Sequence, residues 1–222
     1  MTNMVDWPNI DTVLLDMDGT LLDLRFDNVF WQEHLPKRYA QIHAVDHQYA
    51  LQKLQTGFDD ERGTLNWYCT QYWAAQLHVD IVALKHEISH HIKLLDHVIE
   101  FLSALQQANK TIILVTNAHR ESYDLKMAHI DLQPYFDHVV SSHDYGHPKE
   151  DQKFWQQLHT KLPFERNTSL FIDDNETVLQ AAHDFGIKHL LAPQQPDSSK
   201  AARRNLKHPS FEHYAQLLPI ST

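Results

Sequence analysis

Five short apolar runs, each closed by polar or turn-forming residues, recur along this chain and constrain its fold more than any other feature. They are Thr12–Asp16, Thr111–Val115, His138–Ser142, Ser169–Asp173 and His189–Ala192. Runs this brief cannot make a stable helix, and their unbroken apolar character is that of parallel strands buried on both faces. Between them lie segments of helical spacing: His97–Asn109, Glu121–Ile130, Glu150–Leu162 and Glu176–Phe185, the last followed by Gly186 in the position that favours glycine after a helix. Strands alternating with helices predict an α/β protein built on a doubly wound parallel sheet.

The rhythm breaks between residues 23 and 93, where helical patterns such as Trp31–His43 and Thr64–His78 follow one another with no strand. We therefore expect residues 1–22 and 94–222 to form the α/β core and residues 23–93 to form an inserted all-helical cap after strand one. Within it Leu65, Tyr68, Cys69 and Tyr72 fall at i, i+3, i+4 and i+7, one face of a helix that Thr64 is placed to cap. Cys69 reads as an inert thiol on that packed face, and Trp67 falls off it. Near the C-terminus, Lys200–Lys207 reads as a solvated basic face, ahead of a last helix around Phe211–Leu218.

Composition narrows the function. With 19 basic against 29 acidic residues the net charge is −10, which repels a phosphate backbone and argues against nucleic acid as a partner. Cys69 is the one cysteine among the 222 residues, so neither an intrachain disulfide nor a CxxC motif can form, and a reducing cytoplasmic setting is expected. No basic and apolar leader opens the chain, and no run of apolar residues is long enough to span a bilayer.

The chemistry gathers where the strands end. Strand one runs into Asp16-Met17-Asp18-Gly19-Thr20, and residues i and i+2 of an extended chain point to one side. Strand two ends in Thr116-Asn117, Lys149 follows strand three, and strand four ends in Asp173-Asp174. In an open α/β sheet the carboxyl ends of the strands are where ligands bind. Carboxylates crowded there repel one another unless a divalent cation holds them, and an all-oxygen set suits Mg2+. With the charge so balanced, Asp16 can attack phosphorus while Lys149 and Thr116 hold the phosphoryl oxygens. Asp18 can protonate the leaving alkoxide and then take a proton from the water that hydrolyses the aspartyl phosphate.

The Asp-Met-Asp-Gly-Thr start, Thr116, Lys149 and the Asp173-Asp174 pair follow the order of the four motifs of the haloacid dehalogenase-like superfamily, which this chain resembles over about residues 11–193. The resemblance implies a Rossmann-like core, Asp16 as nucleophile, Asp18 as acid/base and backbone metal ligand, Asp174 as direct ligand of Mg2+, and Asp173 beside it or one water away. Three further stretches, Gly63–Cys69, Val115–Arg120 and Ser142–Gln152, resemble the bacterial GMP/IMP nucleotidase branch and extend the likeness over almost the whole chain. That branch implies a purine nucleoside monophosphate as the small phosphorylated substrate, with Asn117, Arg120 and Trp67 as candidates for binding it, Trp67 by base stacking.

Other readings are weighed against this one. A receiver domain uses similar groups, but there the acid pair comes at strand one, whereas here it comes last. A sugar-phosphate phosphatase, a phosphomutase or a phosphonate hydrolase would share the core and differ in the cap. His86-Glu87-Ile88-Ser89-His90 fits the zinc-peptidase pattern HExxH, yet no third ligand follows at a matching distance, and the segment reads as a connecting helix.

Overall fold

A computed structural model describes residues 4–221. The sheet contains β1 (Thr12–Leu15), β2 (Thr111–Thr116), β3 (His138–Ser141), β4 (Ser169–Ile172), β5 (His189–Pro193) and β6 (Ser210–Phe211), in the spatial order β3-β2-β1-β4-β5-β6, with every pairing parallel. Side chains alternate between two cores. Val13, Leu15, Ile112, Leu114, Leu170 and Ile172 face one, with Phe101, Leu105 and Tyr214. Leu14, Ile113, Val115 and Phe171 face the other, with Trp155, Leu158 and Leu179. β1 lies at the centre, where the strand order reverses, so its carboxyl end opens into the crevice between neighbouring crossovers.

After β1 the chain makes a tight turn and enters the helices α1 (Arg25–Val29), α2 (Leu35–His43), α3 (His47–Glu61), α4 (Thr70–Leu77) and α5 (Ile81–Glu87). They close on a third core of Phe26, Phe30, Leu54, Trp73, Leu77 and Leu84. The chain returns beside its exit, Asp23 N–H donating to Lys93 O at 2.8 Å and Leu22 bridging Leu94. Then follow α6 (Val98–Gln107), α7 (Arg120–His129), α8 (Gln152–Lys161) and α9 (Glu176–Phe185), which cover the sheet.

Three expectations change. The segment Thr64–His78 is not one helix: a 3-10 turn, Leu65–Tyr68, gives way at Cys69 (ψ 109°), and α4 starts afresh with Cys69 as its cap. The Thr64 hydroxyl donates to the Glu61 carbonyl and carboxylate instead of capping, and Cys69 is half-buried rather than packed away. At the C-terminus the helix expected at Phe211–Leu218 is replaced by β6 and a 3-10 turn, Tyr214–Leu217, because the edge of β5 captures the chain: Gln194 N–H donates to Phe211 O at 2.8 Å. Finally, the Trp31–His43 pattern belongs to a longer helical run from Arg25, whose middle, Phe30–His34, is a π-turn. Pro36 has no N–H to give Gln32 O, and the ladder widens just before it. In the HExxH stretch α5 stops at Glu87 and His90 lies in the next turn, so the two histidines do not share one helix.

Candidate active site

Gly19 sets the geometry at the end of β1. Its φ of +81° turns the chain away from the sheet, and a Cβ there would stand 2.8 Å from Asp174 Cγ, so any larger residue would collide with the acid pair ending β4. Asp16, Asp173 and Asp174 consequently converge, with a carboxylate oxygen from each lying within 4.8 Å of the others. Lys149 completes the floor, its ammonium donating to Asp16 Oδ1 at 2.5 Å, to Asp173 Oδ2 at 2.7 Å and to Val115 O at 3.1 Å.

Electrostatics there are strained. Burial, joined by the charges of Asp173 and Asp18, pushes Asp16 up to about 7 against the pull of Lys149. Burial and the Asp16 charge raise Asp174 to about 7, and burial with Asp174 raises Asp173 to about 6. Burial disfavours the ammonium of Lys149, but Asp16 and Asp173 outweigh it and hold the lysine above its ordinary range. One lysine cannot balance three acids. The donor set, oxygen-rich and one positive charge or more short, fits a hard divalent cation such as Mg2+.

Thr116 is buried, and its Oγ1 accepts from Ala118 N–H at 3.0 Å. Asn117 is engaged on both ends of its amide: Oδ1 accepts from Lys149 N–H at 2.9 Å and Nδ2 donates to Glu150 at 2.9 Å. It lines the cleft but shapes it chiefly by fixing the Lys149 backbone. Glu150 also accepts from the Tyr68 hydroxyl at 2.6 Å, a tie between the inserted helices and the core. Trp67 is half-buried on the cleft wall, its ring edge-on to Phe58 and under the guanidinium of Arg62. Arg120 is brought elsewhere, paired with Asp144, donating to Val139 O and lying over the Tyr123 ring, and it does not line the cleft.

Asp18 lines the same cleft but is not one of the three converging acids, and its carboxylate is paired with a lysine of its own. Lys126 on α7 donates to it at 2.5 Å and to Asp27 at 2.6 Å, while Lys85 on α5 donates to Asp27 at 2.9 Å and to Ser122 at 3.1 Å. Both lysines are almost fully buried. Burial opposes the charge of Asp27, yet Lys126 and Lys85 prevail and hold its carboxyl well below the usual range; Asp18, where burial prevails over Lys126, is raised. Sequence reasoning missed this ion-pair chain, and it missed Arg203, which donates to Asp174 O and Pro193 O at 2.7 Å each and so braces the loop after β4 rather than lying on a solvated face.

Above the acids opens a cleft of about 890 Å³. Its floor is Asp16, Asp174, Thr116 and Lys149, and its far wall, from the inserted helices, is aromatic: Trp31, Phe58, Trp67 and Trp73. A charged floor that can hold a phosphoryl group thus faces an apolar wall that can hold a flat ring.

Comparison with known proteins agrees with this layout. The haloacid dehalogenase-like hydrolase family matches residues 13–192. The GMP/IMP nucleotidase YrfG of Escherichia coli (strain K12) is 41% identical over 215 residues, covering 97% of each chain, and the Shigella flexneri protein of the same name matches equally. Among solved structures, a HAD phosphatase from Thermococcus onnurineus superposes with a TM-score of 0.77 at 17% identity, covering 94% of this chain and 96% of its own. The L-2-haloacid dehalogenase of Xanthobacter autotrophicus gives a TM-score of 0.58 at 15% identity, over 86% and 80%.

Proposed function

The chain belongs to the haloacid dehalogenase-like hydrolases, and we propose that it is a Mg2+-dependent purine 5′-nucleotidase that releases phosphate from GMP and IMP. The observation that carries this reading is the cleft in which the Asp16–Lys149 floor faces the aromatic wall around Trp67. Extensive identity with a GMP/IMP nucleotidase supports the choice of base.

In this reading Asp16 attacks phosphorus, the bond to the nucleoside oxygen breaks, and Asp18 delivers a proton to that oxygen as it leaves. Water then attacks the aspartyl phosphate, Asp18 takes the proton back, and phosphate departs. Lys149 and Thr116 hold the phosphoryl oxygens, with Lys149 also keeping Asp16 and Asp173 in place. Asp16, Asp174 and the Asp18 carbonyl would hold Mg2+, with Asp173 alongside; the ion would neutralise the acids and polarise the phosphoryl group. The raised pKa of Asp18 brings it nearer the range where one group can both give and accept a proton. Residues 23–93 serve as the cap that shuts out water and supplies the contacts to the leaving nucleoside.

Phosphate release should be measured from a panel of nucleoside monophosphates, sugar phosphates and small phosphonates, with Mg2+ and with EDTA. GMP and IMP should give the highest kcat/KM, and chelation should abolish turnover. A sugar phosphate turned over better than either nucleotide would replace this reading by that of a sugar-phosphate phosphatase.

A further inference from the structure

Beside the cleft, and outside the machinery described above, three soft or borderline metal-binding groups meet where the inserted helices touch the core. Cys69 caps α4, His119 precedes α7, and His143 lies in the 3-10 turn after β3. One ligating atom from each falls within 4.8 Å of the others. Around a four-coordinate zinc, with bonds of about 2.0–2.3 Å, neighbouring ligand atoms stand roughly 3.3–3.6 Å apart, so small rotations would close the set.

The histidines are prepared for such an ion. Nε2 of His143 is buried without a hydrogen-bond partner, a costly arrangement for a polar atom unless something occupies it. The two rings stand perpendicular at 4.9 Å, and burial together with His119 depresses His143 to about 4, leaving it neutral at physiological pH as a ligand must be. For His119 the tautomer follows from its neighbours. Thr70 Oγ1 lies 2.7 Å from Glu121 Oε2 and 2.8 Å from His119 Nδ1. A carboxylate can only accept, so the one hydroxyl proton goes to Glu121 and Nδ1–H donates to Thr70, which leaves the Nε2 lone pair free. The approach of Glu121 N–H to Nδ1 at 3.4 Å is the weaker contact. Carboxylate, hydroxyl and imidazole in series are the kind of outer support that orients a metal-bound histidine.

We propose that Cys69, His119 and His143 form a second metal site, for a zinc-class divalent ion with a fourth position open to water, and that its occupation clamps the inserted helices to the core and slows turnover. Mg2+ does not compete for thiolate and imidazole, nor does Zn2+ need the carboxylate floor, so the two sites separate by ligand chemistry. Binding releases the Cys69 thiol proton and forms a metal–sulfur bond. The clamp spans two existing ties, Tyr68 to Glu150 and Thr70 to Glu121, and would hold shut the contact that substrate entry and product release must open. The inhibition rests on the cap reading above; the site itself does not.

The full chain is titrated with Co2+ and with Zn2+ in the presence of Mg2+. Co2+ should give a thiolate-to-metal charge-transfer band and tetrahedral visible bands at one equivalent, displaced by Zn2+. Cys69→Ser should lose the charge-transfer band, and His143→Gln should bind at least ~10-fold more weakly, the smallest loss seen when even an outer partner of a metal site is removed. Unchanged melting of both variants without added metal establishes that they are folded. Absence of the band, or binding unaltered by both substitutions, overturns the site whatever the substrate proves to be. Zn2+ should inhibit phosphate release by the parent protein but spare Cys69→Ser, whereas equal inhibition of both would place the ion on the carboxylates and overturn the clamp.

Discussion

The ammonium of Lys126 donates to the carboxylate of Asp18 at 2.5 Å and to Asp27 at 2.6 Å, joining the second acid of the β1 motif to a residue of the first inserted helix. Lys126 is 1% exposed, so these charges have exchanged water for one another. Removing one member of a buried ion pair strands the rest, at a cost of about 3–5 kcal/mol. Lys126→Met should therefore lower unfolding free energy toward that range in urea titrations, and kcat should fall because Asp18 loses its anchor. Adding Asp18→Asn removes the charge left stranded, while Asp27 keeps its pair with Lys85, and the double variant should recover part of the stability. Strict additivity of the two losses would show that the two groups do not act as a unit.

Asp16 is held where it is electrostatically unwelcome, a common condition of groups kept for chemistry rather than stability. Asp16→Asn should reduce turnover at least ~10³-fold, since it removes the nucleophile of the proposed mechanism. In metal-free buffer the same variant should melt no lower than the parent, because a neutral amide relieves the repulsion with Asp173 and Asp174 while Lys149 keeps Asp173. More than a tenth of the activity remaining would remove Asp16 from its assigned role.

The sheet and the strand-end acids were legible because both depend on local pattern: buried strands are uniformly apolar, and a period of two puts Asp16 and Asp18 on one rim. What the pattern hid is tertiary. Lys85 falls among Ile81, Leu84 and Ile88, and Lys126 among Tyr123, Met127 and Ile130, each a lysine inside an apolar helical stripe. That misfit was the available signal, since a lysine is buried there only if an acid meets it. Which acid it meets depends on how the inserted helices pack on α7, and no periodicity encodes that. Arg203 and the break at Cys69 were hidden too, since in each a side chain reaches a backbone carbonyl that no periodicity marks, Arg203 to Asp174 O and Trp73 Nε1 to Trp67 O. Arg120 failed in the opposite direction, because Asp144 captures it.

Metal binding should couple to pH. The raised values of Asp16 and Asp174, both about 7, mean that the metal-free folded state holds protons that the unfolded chain, with carboxyls near 3.8, has lost. Stability from these groups is thus present below about 3.8 and lost as pH rises toward 7, where both become charged in the fold. Mg2+ must displace those protons, so the rise in Tm on adding saturating Mg2+ should be small at acidic pH and grow up to neutrality. Thermal melts with Mg2+ and with EDTA across this range test it; a Tm increment independent of pH would show that the ion does not sit on these carboxylates. Exhaustive chelation should also silence phosphate release.

Base recognition should reside in the aromatic wall, since in the proposed reading the floor is taken up with the phosphoryl group. Trp67 presents its ring to the cleft, braced edge-on by Phe58 at 5.9 Å and by the Arg62 guanidinium at 5.4 Å, while its carbonyl accepts from Trp73 Nε1 at 3.1 Å. That last bond belongs to the backbone and survives truncation of the side chain. Trp67→Ala should therefore keep the local turn while losing the ring, and stacking of a base on an aromatic face contributes ~1–3 kcal/mol. KM for GMP or IMP should rise roughly 5- to 150-fold, with kcat for a small artificial phosphate ester almost unchanged because that substrate does not reach the wall. If both substrates suffer alike and the melting temperature falls, Trp67 serves packing against Phe58 rather than the base, and discrimination must come from Trp31 or Arg62 on the same wall.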